Sequence, residues 1–225
     1  MHVELAKLPM DSFKDLAKHY LMIVLGIVTA LGLEAWIEHI HHRHAAETAS
    51  AQIEAEIRQN LSAIQASHDH DVARENVLKK IRDGLIADIK SNASAAVVLQ
   101  HIHEESPDGI YLDWRWPALR HEAWDVAVAN QSAGWMDRDK LRRYATIYAA
   151  QSTHTTMMTT DVPMVMDGPR MMDSLLSLDT GDIQPRQLLQ TVNQMWAVAN
   201  ESEHNLTGLA REIQQAMPAA PAGSP

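Results

Sequence analysis

The chain has 225 residues, 29 acidic against 19 basic side chains and a formal net charge of −10, which excludes the basic face that nucleic-acid binding requires. It contains no cysteine, so disulfides, thiolate metal sites, iron–sulfur clusters and cysteine nucleophiles are excluded. Apolar residues make up 46% and charged residues 21%, enough to bury a core, and thirteen histidines and twelve methionines stand against one phenylalanine.

The first element is a membrane span. Ser12 and Asp15 have capping-box spacing, with Asp11 as the alternative N-cap. Lys14 and Lys18 then precede LMIVLGIVTALGL, residues 21–33, which carries no charge. Residues 19–37 contain one charge, Glu34, and as a helix they extend roughly 28 Å, about the hydrocarbon thickness of a bilayer. Tyr20 and Trp36 suit the two interfaces. Leu33-Glu34-Ala35 is a poor small-x-small cleavage site, which disfavours a signal peptide, and a buried helix of a soluble protein is the other alternative. Lys14 and Lys18 against Arg43 and Arg58 place residues 1–18 in the cytoplasm as a short tail. The expectation is a single-pass protein of the bacterial inner membrane with residues 38–225 in the periplasm. Gly26 and Ala30 are a small-x-x-x-small pair through which two such helices would form a homo-oligomer.

Beyond the span, residues 38–104 read as a long helix and a return helix. No proline or glycine occurs between Leu33 and Gly84, and Ile53, Ile57, Leu61 and Ile64 form one helical stripe. Ser67-His68-Asp69-His70-Asp71 predicts a break, because short polar side chains compete with the helix backbone. Val72, Leu78, Ile81, Leu85 and Ile89 continue in phase after it, and Ser91-Asn92 precedes a helix over 93–103. Ser106-Pro107-Asp108-Gly109 is a turn.

Residues 105–217 read as a helical hairpin plus C-terminal helices. Pro117 and Gly134 bound a helix over 117–132, and Asp137 caps one over 138–160 that Val162-Pro163 ends. Leu119, Ala123, Val126 and Ala127 face Leu141, Ala145 and Tyr148, with Trp124 on the face of Val128 and Gln131 and buried against Tyr148. A short helix over 170–178 follows. Pro185 opens a last helix with the stripe Leu188, Leu189, Val192, Trp196, Ala199, Leu206, Leu209 and Ile213. Residues 218–225, rich in proline, alanine and glycine, are expected to be disordered. The fold class is therefore all-α, one N-terminal transmembrane helix continuing into a long helix and then an antiparallel helical bundle.

Two segments carry a family resemblance. Gly26, Ala30-Leu31, Leu33 and Trp36, together with Ala123-Trp124-Asp125-Val126-Ala127 followed by Leu141, Tyr148 and Gln151, resemble a family of bacterial single-pass inner-membrane proteins of unknown function. Those proteins pair such an anchor with a helical extracytoplasmic domain, and the resemblance covers residues 18–65 and 117–151. Glu34 departs from the neutral polar residue expected there. The resemblance implies topology and fold, and no catalytic role.

The candidate chemistry is metal binding. His39, His41, His42 and His44 lie just outside the span, and neutral imidazoles bind copper, nickel or zinc. Two of them share each helix face, so a full site needs a second chain or segment, and the competing reading is a polar collar at the headgroups. Six methionines fall between Met157 and Met172, among them Met164-x-Met166, and thioethers select Cu(I) but also fill irregular helix contacts. Glu38-x-x-His41 and Glu201-x-x-His204 have the spacing of di-iron bundles. No nucleophile elbow or phosphate loop occurs, and His101, His103 with Glu104 and Arg120-His121-Glu122 read as solvated faces. Trp114 and Trp116 lie in a loop-like segment, where exposed aromatics would meet a partner or the bilayer surface. These features point to a membrane-anchored interaction or accessory protein of the bacterial envelope. Its partners are the lipid bilayer and an envelope protein or a second copy. The alternative is a periplasmic copper- or nickel-binding protein.

Overall fold

The computed structural model describes residues 10–217; the side chains at 10–13, 15 and 165 lie outside the described set, and with them the Ser12, Asp15 and Asp11 caps and the tail 218–225. The described residues are helical or irregular, with no strand among them. The helices are α1 (Met10–Ser91), α2 (Ala95–Glu105), α3 (Glu122–Ala129), α4 (Arg138–Thr156), α5 (Val162–Val165), α6 (Gly168–Thr180) and α7 (Pro185–Ala216).

α1 is one continuous helix of 82 residues. The break expected at 67–71 does not occur, and the reason is tertiary. His68, His70 and Asp71 find partners outside the helix, and exposed Asp69 bonds the side chains of Gln65 and His68 within it, so these groups do not compete for its backbone. Asp71 is fully buried and accepts hydrogen bonds from the Arg115 amide (2.8 Å) and the Ser202 hydroxyl (2.6 Å). His70 meets the Asp113 carbonyl at 2.9 Å, and Arg74 donates to the Tyr111 carbonyl with its guanidinium over the Tyr111 ring. α1 ends where Asn92 takes a left-handed conformation (φ 53°); the amides of Asn92 and Ala93 then bond Ile89 and Asp88, a Schellman motif.

α7 packs along α1 in the opposite direction. Trp196 donates to Glu75 (2.7 Å), Ser202 to Asp71, and Glu203 meets His68 at 3.3 Å. The predicted α7 stripe holds: Leu188, Val192, Ala199, Leu206, Leu209 and Ile213 are buried. The apolar positions of α1 divide between two cores. Ile53, Ile57 and Ile64 join Tyr144, Ile147, Leu206 and Leu209, while Leu78, Ile81 and Leu85 join Val98, Val192 and Met195. The polar stretch 68–75 is the waist between them.

The predicted hairpin is corrected in four respects. The helix expected over 117–132 spans only Glu122–Ala129, because residues 111–121 run extended along α1 with their peptide groups bonded to its side chains. Pro117 is buried in that strap and does not open a helix. α3 ends at Asn130, the left-handed residue is Gln131 (φ 65°), and Gly134 lies in a short 3-10 turn, Ser132–Trp135. Asp137 caps α4 as expected, accepting from the amides of Asp139 and Lys140. Val162-Pro163 does not end the helix. A wider π turn, Met157–Asp161, leads into α5, since Pro163 has no N–H and its ring crowds the carbonyl four residues back. Val126 and Val128 are exposed, as is Ala145; the buried face of α4 is Tyr144, Ile147, Tyr148 and Gln151.

Candidate functional site

The apolar part of α1 stands clear of the rest of the protein. It is the one helix among the described residues long and apolar enough to cross a membrane, and none of its most apolar stretch is buried. From Tyr20 to Ile37 every large apolar side chain except the half-buried Val24 is exposed, Trp36 at 61% and Leu25 at 64%.

The histidines just beyond do not converge. His39, His41 and His44 are exposed, and His42 stacks flat on Trp135, ring centroids 3.8 Å apart and planes 10° off parallel, while meeting Glu38 at 3.3 Å. Among the described residues no three His, Asp or Glu side chains form a group suited to an ion. Met164 is 77% exposed, whereas Met166 packs against the core with Met158 and Met171. The spacing Met164-x-Met166 thus sends the two thioethers to different environments. The di-iron pattern is excluded by distance. Ser202 bonds Asp71, so Glu201 and His204 lie some 33 positions along α1 from Glu38, about 50 Å at helical rise.

Several clefts indent the body, two of them beside candidate side chains. The first, about 710 Å³, lies where the π turn, α5 and the start of α6 meet α7, and is lined by Asp161, Val162, Met166, Arg170, Val198 and Glu201 among others. Arg170 is already paired with Asp167 at 3.4 Å. The second, about 680 Å³, runs beside the stacked pair Trp124 and Tyr148 and includes His121, Asp125 and Ser152. His121 meets Asp125 at 2.5 Å, and this hydrogen bond raises the imidazole pKa above its ordinary value. Among the described residues no hydroxyl is hydrogen-bonded to that imidazole, so no nucleophile–base pair is assembled.

Trp114 and Trp116, expected to be exposed, are half-buried instead. Both pack on Met158, Val162 and Val198, and the Trp116 indole donates to Thr155 at 3.1 Å. Trp124 is half-buried and stacks on buried Tyr148 at 5.4 Å. Electrostatic perturbations gather where α1 meets the strap, α4 and α7. Burial raises the Asp71 carboxyl above the usual range despite the hydrogen bonds from Ser202 and Arg115, and burial lowers Arg74. Burial, and then the bond to Glu54, push the Tyr144 phenol up to about 12; Tyr148 moves up for the same reason, bonded to Glu56 at 2.5 Å.

The residues that sequence reasoning missed are those of this face. Glu56 accepts from the Ala123 amide (2.9 Å); Asn60 accepts from the Arg120 amide (2.9 Å) and donates to its carbonyl (2.8 Å). With Asp71, His70 and Arg74 they fasten the strap 111–123 at successive levels. Their phase was visible, since Glu56, Asn60, Asp71 and Arg74 fall at helical spacings beside the apolar stripe. This is an architectural site, in which polar groups of α1 hold the peptide groups of the strap. No family model matches the chain, and no match is found among curated proteins or solved structures.

Proposed function

We propose that this is a membrane-anchored helical accessory protein of the bacterial envelope, an antiparallel bundle held in the periplasm by one transmembrane helix, which acts by binding another envelope protein. One observation carries the reading: the apolar end of α1 is uncovered, while the same unbroken helix forms the wall of a packed body. Leaving Leu21, Met22, Ile23, Leu25, Ile27, Val28, Leu31 and Leu33 in water would forgo roughly 10–20 kcal/mol of transfer free energy. A bilayer recovers it. The resemblance at Gly26, Ala30, Leu33 and Trp36 supports the same topology. The continuous helix α1 would hold the surfaces of the body at a set height above the membrane.

The test is topological and biochemical. A C-terminal alkaline phosphatase fusion, active only outside the cytoplasm, should be active, and the full-length chain should resist alkaline carbonate extraction. A stoichiometric envelope protein should co-purify from detergent-solubilised membranes. Release by carbonate, or a mature N-terminus at Trp36, overturns the anchor. An inactive fusion overturns the orientation.

A further inference from the structure

The turn that carries Trp135 presents a large aromatic side chain at the surface of the body. Trp135 is 55% exposed, although its ring stacks on His42, and Val126 and Val128 on the preceding helix are 55% and 52% exposed. Its position along α1 is set by that stack. His42 lies five residues past Ile37, about 7–8 Å at helical rise, and the headgroup layer on each side of the hydrocarbon is about 5–8 Å thick. The neighbouring contacts agree. Ala133 shares a core with Ala46 and Ala49, the first buried positions of α1. α4 then climbs away from this end, with Tyr144 bonded to Glu54, Tyr148 to Glu56 and Gln151 to Asn60. Carried back at the same register, its first turn lies beside residues 47–50 of α1, about one helical turn beyond the histidine collar and within the length of an arginine or lysine side chain of it.

Charge is concentrated at the same place. Residues 135–143, WMDRDKLRR, hold four basic and two acidic side chains in a chain of net charge −10. Arg138 and Lys140 are exposed; Arg142 is paired with Asp139 at 2.9 Å in an exposed ion pair. The acidic side chains facing this end from α1 are engaged locally, Glu38 with His42 and Glu47 with Arg43. An amphipathic aromatic ring flanked by cations matches the interfacial layer of an anionic bilayer, where tryptophan is favoured and lysine and arginine meet lipid phosphates.

We propose that the Trp135 turn is a second membrane contact, seated in the headgroup layer of an anionic bilayer beside the anchor, with Arg138 and Lys140 on lipid phosphates. This inference rests on the anchor reading above, and it adds that the body leans onto the membrane through this turn.

The chain has no cysteine, and a Cβ at Gly134 meets no atom within 4 Å, so Gly134→Cys accepts a probe without disturbing Trp135. The control is Asp182→Cys, exposed near the junction of α6 and α7, where Gln184 lines a cleft with Ile89, about 70 Å along α1 from His42. Full-length protein carrying an environment-sensitive fluorophore at either site is reconstituted into vesicles of phosphatidylglycerol and phosphatidylcholine. The probe at 134 should shift to the blue and be quenched by lipids carrying a headgroup-level nitroxide, while the probe at 182 is unaffected. Trp135→Ala and the pair Arg138→Glu, Lys140→Glu should each reduce the quenching at 134. Equal water exposure at both sites, in protein that still resists carbonate, overturns this proposal and leaves the anchor standing. Equal quenching in pure phosphatidylcholine overturns the anionic selectivity. Shielding from water without lipid quenching assigns the turn to a second copy of the chain and overturns the proposal. Failure to enter vesicles at all overturns the anchor and this contact together.

Discussion

Asn60 offers the sharpest test of how the body is held together. It is 1% exposed, and its amide is bonded to both peptide groups of Arg120 and, at 3.3 Å, to the Gln151 side chain. Asn60→Ala removes those partners and leaves an N–H and a C=O in a partly buried strap. At about 1–3 kcal/mol for each buried group left unpaired, and allowing for some access of water, the loss is about 2–4 kcal/mol. In a chain of this size that corresponds to a fall in Tm of about 5–15 °C. Asn60→Asp is nearly the same shape but replaces the donor with a carboxylate facing the Arg120 carbonyl. It should cost at least as much at neutral pH and recover relative to wild type as acid protonates it and restores a donor. The assay is thermal unfolding of the full-length protein in detergent, followed by tryptophan fluorescence, with amide exchange at Arg120 as the local readout. If Asn60→Ala melts within about 2 °C of wild type and Arg120 exchanges no faster, the strap is held by something other than the α1 side chains.

Three further outcomes follow from the same contacts. Trp124→Ala should lower stability by about 2–3 kcal/mol, less than the full cost of a buried tryptophan because its ring is half-exposed, and melting of the full chain measures it. Asp71 has its carboxyl pKa raised by burial, so the folded state binds its proton more tightly than the unfolded chain does; its contribution is fully present below the unfolded pKa and lost as pH rises through the folded one. Asp71→Asn, which can still bond Arg115 and Ser202, should therefore gain on wild type in urea unfolding as pH is raised through that range, and a gap that shrinks with rising pH contradicts the assignment. Replacing His39, His41, His42 and His44 together by glutamine should leave membrane insertion intact and change melting by less than about 1 kcal/mol, because three of the rings are exposed and only His42 has a stacking partner. Larger losses would mean that the collar is structural.

The parts legible in the sequence are those governed by local periodicity and by single-residue stereochemistry. The apolar span ending in Trp36, the α7 stripe from Leu188 to Ile213, the Asp137 cap and the stop at Ser91-Asn92 need only neighbours within a turn or two of helix, and they appear where they are expected. The parts decided by tertiary structure involve polar side chains whose partners lie far away in the chain. The run 67–71 looks like a helix breaker because aspartate, serine and histidine in water compete for the backbone; in the fold Asp71 is satisfied by residues 44 and 131 positions distant, and the helix runs through. Pro117 looks like a helix start, yet Asn60 and Glu56 hold the peptide groups of Arg120 and Ala123, and no helix forms until Glu122. Tryptophan content alone does not say which rings are covered: Trp114 and Trp116 find Met158 and Val198, while Trp135 is left beside the collar. Local pattern sets where helices form. Which polar group meets which peptide, and so which surface remains exposed, depends on contacts that exist only once α1, the strap and α7 have come together.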